Sequence, residues 1–376
     1  MAGSVYGTNF RITTWGESHG KALGVVIDGC PAGLELNEED IQTFLNRRRP
    51  GQSAYTTSRT ESDEVQILSG VFEGFTTGTP ISLIVYNKDH HSADYSEIAS
   101  YYRPGHADYT FDEKYGFRDY RGGGRSSGRE TIGRVAAGAV ASKVLGELGI
   151  KLTGYTRSIG AVSISDDNFD LSAINDNPLY MPDRNAAVQA SEYLDKLRSE
   201  GNSAGGVVEC IIKGMPAGIG ETVFDKLDAE LGKAIMSIGA VKAFEIGDGI
   251  RVSKAKGSTN NDPFIQSTEK PGRIIKGTNH SGGILGGMSD GSDIVLRAHF
   301  KPTPSISMQQ NTVTKNGEEI SIKIKGRHDP IIVPRAVVVV ESMAAVTLLD
   351  LLIRNMGARM DYMKTVYGRG ITDSRS

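Results

Sequence analysis

The sequence predicts a mixed α+β fold with largely antiparallel sheets. Helical and strand-like segments alternate along the chain, but the strands often arrive in hairpin-like pairs. A doubly wound parallel sheet is the weaker alternative, because it would require a helix between successive strands. With 376 residues, of which 38 % are hydrophobic and 23 % charged, the chain has the composition of a globular protein with a sizeable core.

Five helices are predicted from apolar periodicity and from end signals. The first follows Asn37, a good N-cap residue, and has an acidic first turn and an apolar face. The arginines 47–49 follow it and are interpreted as a solvated helix end, with phosphate binding as the alternative, before Pro50 and Gly51 stop the helix. The remaining helices are expected over residues 128–148, 186–200, 224–235 and 337–354.

Strand-like runs lie between the helices, and several have apolar residues at every second position. They cover residues 23–27, 81–86, 206–213, 293–299 and 320–325. No repeat or low-complexity tract divides the chain, so one domain spanning residues 1–376 is expected. The Asp-, Asn- and Pro-rich stretch 166–185 is the best candidate for a division, and it fits a surface excursion equally well.

Charge and cysteine content exclude several classes of protein. The net charge of −3 argues against a protein that coats nucleic acid, so anion binding must come from local clusters of Arg and Gly. Cys30 and Cys210 are too few for a disulfide framework and lack the spacing of a metal site. The richest apolar stretch, 336–353, is broken by polar residues, and the N-terminus lacks the pattern of a secretion signal. We therefore expect a cytoplasmic protein without a membrane, nucleic-acid or metal partner.

The most unusual segment, residues 121–131, reads Arg-Gly-Gly-Gly-Arg-Ser-Ser-Gly-Arg-Glu-Thr and leads into the second helix. Consecutive glycines allow positive φ and let backbone N–H groups approach a ligand, and a helix N-terminus adds donors and a positive dipole end. Together with the charges of Arg125 and Arg129, this pattern predicts a phosphate-type anion site. It matches neither a Walker A loop nor a dinucleotide-binding fingerprint. A glycine-rich turn with exposed arginines and an Arg-Gly-Gly RNA-binding element remain as alternatives.

Three further polar segments lie on turns that contain Gly or Pro, and they carry His19, His106 and Asp329. Histidines on such turns can act as general acids or bases, although a surface or hydrogen-bonded histidine is the commoner case. The three turns would be natural walls of one pocket, which the sequence alone cannot bring together. The pair His90-His91 could suggest a metal site, but no further ligand at a suitable spacing completes it.

Taken together, these segments resemble the chorismate synthase family. The resemblance runs from Tyr6 to about Gly357 and is carried by a series of ordered motifs. The motifs cover residues 16–20, 47–51, 103–108, 118–131, 236–248 and 327–330, followed by 341–343. The resemblance implies a β-α-α-β sandwich, a homotetramer and a requirement for reduced FMN.

The resemblance also implies a reaction, the last step of the shikimate pathway. Phosphate leaves C3 and a hydrogen leaves C6 of 5-enolpyruvylshikimate-3-phosphate in an anti-1,4 sense, which gives chorismate without net redox change. The C6 hydrogen is weakly acidic, so the family is thought to use a transient electron from reduced flavin. The protein then binds, orients and controls protons.

Roles for individual residues follow from the same resemblance. His19 would protonate the departing phosphate, His106 would set the protonation state of the reduced flavin, and Asp329 would act near the flavin N5. FMN contacts are implied for Arg125, Ser126, Ser127, Gly239, Ala240, Gly286, Lys301, Pro302, Thr303, Pro304, Ser305 and Arg327. The phosphate and the two carboxylates of the substrate require an arginine-lined pocket, for which the candidates are Arg48, Arg103 and Arg129.

One departure from the family bears on the source of electrons. Arg48 also matches a position associated with NADPH, but the arginine that often accompanies it is replaced here by Ala54. No dinucleotide fingerprint follows a strand either, so an external flavin reductase is expected to supply reduced FMN. A flavin reductase-like oxidoreductase that uses NADPH is the alternative enzyme, and an RNA-binding module is the distant third hypothesis.

Overall fold

Two five-stranded sheets enclose two layers of helices in the computed structural model of this chain. The structure describes residues 3–51, 62–87, 97–121, 123–268, 271–324 and 329–368.

The first sheet is built near the N-terminus. Its strands are β1 (Val5–Tyr6), β2 (Arg11–Gly16), β3 (Ala22–Asp28), β4 (Val65–Ser69) and β7 (Ile81–Tyr86), with the small hairpin β5 (Val71–Phe72) and β6 (Phe75–Thr76) preceding β7. Their order across the sheet is β1-β2-β3-β7-β4, and each neighbouring pair is antiparallel.

The second sheet is built from the middle of the chain. Its strands are β8 (Lys151–Ile159), β9 (Val162–Ser163), β10 (Gly206–Lys213), β11 (Val241–Ile246) and β16 (Ile294–Phe300). They are ordered β11-β16-β10-β8-β9, again antiparallel throughout. Three separate hairpins complete the strands: β12 (Phe264–Gln266) with β13 (Ile274–Lys276), β14 (Ile284–Leu285) with β15 (Met288–Ser289), and β17 (Gln310–Val313) with β18 (Glu319–Ile322).

Helices form the two inner layers. The described helices are α1 (Glu38–Arg48), α2 (Asp108–Tyr115), α3 (Thr131–Glu147), α4 (Arg184–Ser199), α5 (Leu227–Met236), α6 (Gly257–Asn260), α7 (Val333–Asn355) and α8 (Met360–Tyr367), and α1, α3, α5 and α7 make up the inner layers. Helices α1 and α3 pack on the first sheet, α5 and α7 pack on the second, and α3 packs on α7. The predicted antiparallel α+β fold and the implied β-α-α-β sandwich are therefore confirmed.

Helix α1 begins where its end signals predict. Asn37 accepts a hydrogen bond from the Asp40 amide (3.1 Å), and the Asp40 carboxylate accepts one from the Asn37 amide (2.9 Å), which makes a capping box. The interpretation of its basic end as solvated is wrong for Arg48, which is only 2 % exposed. A buried guanidinium requires partners, and these lie in the candidate site described below.

Helices α3 and α7 cross where both carry a small residue. A Cβ added to Gly138 would lie 2.2 Å from the Cβ of Ser342, so only glycine permits this close approach. Helix α7 is long and apolar enough to cross a membrane by composition alone, but 83 % of its most apolar window is buried inside the protein. It is the central core helix, and its first turn contains Pro334, which is favoured at a helix start.

Other elements differ from the sequence prediction in their extent. Strands β2, β8 and β11 were not predicted, and the fourth predicted helix begins at Leu227 because Phe224 is exposed rather than packed. The stretch 166–185 contributes buried Leu179 and Met181 to the same hydrophobic core as the helices.

Candidate active site

The turn that carries His19 connects β2 to β3 and is held in place by Asn87. The Asn87 side-chain amide donates to the carbonyl oxygens of Glu17 (3.1 Å) and Gly20 (2.8 Å). Ser18 is buried, and its hydroxyl lies 3.1 Å from Nδ1 of the half-buried His19 imidazole. The turn is therefore ordered from within the fold, while the imidazole is only half-buried.

The glycine-rich segment forms two short 3-10 turns, Gly124–Ser126 and Gly128–Glu130, immediately before α3. Gly123 and Gly124 have φ of +89° and +53°, so these positions need glycine for the predicted reason. Ser126 Oγ donates to the Gly123 carbonyl (2.7 Å). Ser127 Oγ accepts from the backbone amide of Arg129 (3.3 Å). Gly122 lies outside the described residues.

Arg125 attaches this segment to the strand that leads to His19. Its guanidinium donates to Thr14 Oγ1 (2.7 Å) and to the Gly16 carbonyl (3.1 Å). The glycine-rich segment and the His19 turn, which are a hundred residues apart in sequence, consequently form one continuous wall. The structure thus brings together two of the segments that the sequence singled out separately.

Two of the predicted substrate arginines share one buried carboxylate. Arg48 Nη1 lies 3.0 Å from Asp63 Oδ2, and Arg129 Nη1 lies 3.2 Å from Asp63 Oδ1. Arg48 also donates to Thr131 Oγ1 (3.0 Å), and Arg129 donates to Asn87 Oδ1 (2.7 Å). Burial and the neighbouring positive charges lower the pKa of Arg48 to about 10, which still leaves it charged at neutral pH.

The N-terminal ends of α3 and α7 converge at Arg48. Thr131, the first residue of α3, is in contact with the Arg48 guanidinium, and Arg335, in the first turn of α7, donates from Nε to the Arg48 carbonyl (3.0 Å). Arg335 Nη1 also lies 2.7 Å from Asp329 Oδ2, and Asp329 is 8 % exposed. Because helix N-termini carry positive partial charge, this arrangement favours an anionic ligand.

The turn that carries His106 is held by a second ionic cluster. Arg103 binds Asp108 through two hydrogen bonds of 2.8 Å, and Arg118 approaches the same carboxylate at 2.8 Å. Arg103, the third predicted substrate arginine, is thus bound within its own turn. Desolvation raises the pKa of Asp108, but the hydrogen bonds and positive charges of these arginines outweigh it. The pKa of Asp108 is therefore below its usual value.

His106 is a neutral imidazole with a defined tautomer. Its Nδ1 lies 3.0 Å from the Pro104 carbonyl, which can only accept, so Nδ1 carries the proton. Nε2 then accepts from the Ser305 hydroxyl at 2.8 Å. Burial and the charge of Arg103 lower the pKa of His106 to about 4, so the ring is uncharged at neutral pH.

The segment 301–305, implied as a flavin contact, meets the His106 turn directly. Lys301 Nζ donates to the Gly105 carbonyl (2.8 Å), and the Lys301 amide donates to the carbonyl of Ala240 (2.9 Å). Ala240 has φ of +72°, a conformation that is unusual for a residue with a side chain and occurs most often at functional sites. Thr303 Oγ1 is buried and has no hydrogen-bond partner among the described residues.

Other implied cofactor residues do not all gather at this segment. Gly239 adjoins Ala240 beyond the C-terminal end of α5, whereas the Gly287 carbonyl beside Gly286 binds the first amide of α5 (2.7 Å). A helix of this length rises about 15 Å, so Gly286 lies at the far end of α5 within one chain. Arg327, Ala54 and the pair His90-His91 lie outside the described residues.

Asp329 lies between the two clusters. The carbonyl of the following Pro330 accepts from the amide of Ala204 (2.9 Å), and the adjacent Ser203 donates to the Thr303 carbonyl (2.7 Å). On its other side, Asp329 is joined to Arg335. The segment at Asp329 thus connects the His106 region with the arginines at the helix ends.

Sequence reasoning missed three residues of this site: Asp63, Asn87 and Arg335. The only available signal was the cluster of arginines itself, since buried guanidiniums require carboxylate or carbonyl partners. Which carboxylate would serve could not be identified, because Asp63 stands beside other acidic residues in a polar run.

Comparison with known proteins agrees with this geometry. A sequence profile described as chorismate synthase matches residues 10–353. The chorismate synthase of Agathobacter rectalis is 68 % identical over 98 % of this chain and 99 % of its own length, and that of Methanococcoides burtonii is 56 % identical over 94 % and 97 %. A crystal structure of chorismate synthase superimposes with a TM-score of 0.76 at 31 % identity, covering 96 % of both chains. With its two sheets, its helix layers and nearly its whole length accounted for, the chain belongs to the chorismate synthase family, whose members are lyases.

Proposed function

We propose that this protein converts 5-enolpyruvylshikimate-3-phosphate to chorismate by anti-1,4-elimination of phosphate and the C6 hydrogen, with reduced FMN as cofactor. The observation that carries the proposal is the convergence of Arg48, Arg129 and Arg335 at the N-terminal ends of α3 and α7. Such a cluster complements a substrate that bears a phosphate and two carboxylates.

The charge balance of this cluster supports binding of an anion. Among the described residues, three guanidiniums of this cluster face two buried carboxylates, those of Asp63 and Asp329, which leaves one positive charge before the helix dipoles are considered. A substrate phosphate or carboxylate would compensate that charge. Arg48 and Arg129 would bind and orient it, with Asp63 holding their guanidinium planes in place.

The residues around the His106 turn fit a flavin. Gly105 has φ of +70°, and a Cβ there would lie 2.7 Å from Pro304, so the two turns are in close contact. The buried hydroxyl of Thr303, which has no hydrogen-bond partner in the described part of the chain, would be able to bond a ligand. In addition to this turn, Arg125, Ser126, Ser127, Gly239, Ala240 and Arg327 would contact FMN, and Gly286, at the far end of α5, would do so from another subunit of the proposed homotetramer. When bound, reduced FMN would supply the transient electron that loss of phosphate requires, with no net redox change.

The protein side chains would control the protons. His19 would donate a proton to an oxygen of the departing phosphate. His106 carries its proton on Nδ1, and its Nε2 accepts from Ser305. It would remain neutral and set the protonation state of the neighbouring cofactor. Asp329 would act near the flavin N5 and help it to accept the C6 proton.

The remaining proposals concern the setting of the reaction. We infer a single domain that assembles into a homotetramer in the cytoplasm and takes part in aromatic amino acid biosynthesis. An external flavin reductase would supply reduced FMN, because Ala54 replaces the arginine associated with NADPH.

The decisive experiment is anaerobic incubation with the substrate and dithionite-reduced FMN, with phosphate and chorismate measured together. We expect both products in equal amounts, and none with NADPH and oxidised FMN alone. Consumption of NADPH without phosphate release would favour a flavin reductase instead. Sustained chorismate formation with NADPH and catalytic FMN alone would contradict the need for an external reductase.

A further inference from the structure

We propose that Arg335 is a positioning residue that orients the Asp329 carboxylate and couples it to the substrate arginine Arg48. The inference rests on the proposed function, because it assigns Arg335 to the proton-handling role of Asp329 in that reaction. Nothing in the motifs that carry the family resemblance includes Arg335, which lies between the segments 327–330 and 341–343.

The contacts of Arg335 define this role. Its Nη1 lies 2.7 Å from Asp329 Oδ2, and its Nε donates to the Arg48 carbonyl at 3.0 Å. Because a guanidinium is planar and rigid, two bonds from one fork fix the carboxylate relative to the end of α1. The side chains of Arg335 and Asp329 are 20 % and 8 % exposed, so the pair is largely shielded from water.

The effect on chemistry follows from orientation. A carboxylate that assists a proton transfer must present one oxygen toward the site of transfer, and free rotation about its Cβ–Cγ bond would lower the fraction of productive geometries. The charge-assisted bond to Oδ2 removes that freedom. Arg48 belongs to the anion cluster, so the Arg335 guanidinium also fixes the distance between Arg48 and the Asp329 carboxylate.

A purely structural role is the competing explanation. Arg335 could serve only to attach α7 to α1, in which case its removal would lower stability without acting through Asp329. The two explanations differ in a double-mutant cycle, because residues that act as a unit have non-additive effects on turnover.

The experiment measures kcat and KM with reduced FMN under anaerobic conditions for Arg335→Ala, Arg335→Gln, Arg335→Lys, Asp329→Asn and the double variant Arg335→Ala/Asp329→Asn. We expect Arg335→Ala to lose about 10- to 100-fold in kcat, with a smaller change in KM. Arg335→Lys should recover part of that loss. The double variant should be no slower than Asp329→Asn alone.

The matched control is Arg354→Ala. Arg354 lies on the same helix and forms an ion pair of the same length, 2.7 Å to Asp225, but on the surface. We expect its kcat to stay within about twofold of the wild type. Arg335→Gln keeps a neutral donor toward the Arg48 carbonyl, so it serves if Arg335→Ala fails to fold.

Three results would overturn the inference: full kcat in Arg335→Gln or Arg335→Ala, losses that multiply in the double variant, or full kcat in Asp329→Asn. All three leave the proposed function standing as long as the wild type forms chorismate. Failure of the wild type to release phosphate and chorismate would instead reject the proposed function itself.

Discussion

Replacing Asp63 by Ala should destabilise the protein more than any exposed ion-pair change. The Asp63 carboxylate is fully buried and lies 3.0 Å from Arg48 and 3.2 Å from Arg129, whose side chains are 3 % and 10 % exposed. Removing it leaves two buried guanidiniums without their shared counter-charge, which typically costs about 3–5 kcal/mol. The unfolding entropy of 376 residues is about 0.8 kcal/mol/K, so Tm should fall by about 4–6 °C.

The assay is differential scanning calorimetry at neutral pH and fixed protein concentration. The matched control is Asp28→Ala, which breaks a pair of 2.9 Å with Arg11 whose side chains are 46 % and 50 % exposed. That change should cost at most about 1 kcal/mol and about 1 °C. Inorganic phosphate should restore part of the Tm of Asp63→Ala by binding to the two guanidiniums that have lost their counter-charge. A Tm shift no larger than that of Asp28→Ala would refute the reasoning.

Other expectations test packing, pH dependence and catalysis. Gly138→Ala should lower stability by about 1–3 kcal/mol, because its Cβ would overlap Ser342. Gly146→Ala on the same helix has open space around its Cβ and should raise stability by about 1 kcal/mol. Equal thermal shifts of the two variants would contradict this reasoning. The pKa of His106 falls from 6.5 to about 4 on folding, so the unfolded chain binds more protons than the native state between pH 6.5 and about pH 4. The native state therefore loses stability as pH falls through that range. His106→Gln should therefore lose less Tm than the wild type between pH 7 and pH 5, and an equal loss would count against the buried neutral imidazole. His19→Ala should retain its Tm but lose at least about tenfold in turnover, and unchanged turnover would remove His19 from the mechanism.

Local signals in the sequence predicted the elements that have clear ends or a clear period. The bounds of β7 and β10 agree with the prediction, and α1 begins at its capping box. Helix α7 begins four residues before the predicted start, because its first turn includes Pro334 and the apolar residues beside it.

Strand β8 shows why other elements were missed. It is an inner strand of the second sheet, paired with both β10 and β9, yet it carries Gly154 in its interior, which weakens any strand prediction from sequence. The glycine is needed because a Cβ at this position would lie 2.9 Å from Glu341 of α7. Glycine is therefore required at position 154 by a contact between β8 and α7, which are far apart in sequence.

The candidate site divides in the same way. The sequence by itself determined the chemical types present: histidines on turns, arginines beside glycines, and glycines at positions 123 and 124 whose positive φ the structure requires. Only the tertiary structure decided that Asp63 would bridge Arg48 and Arg129, and that Arg335 would reach the Arg48 carbonyl across 287 residues of sequence. These contacts depend on where α1, α3 and α7 converge, and that geometry is set by packing of the whole core rather than by any local pattern.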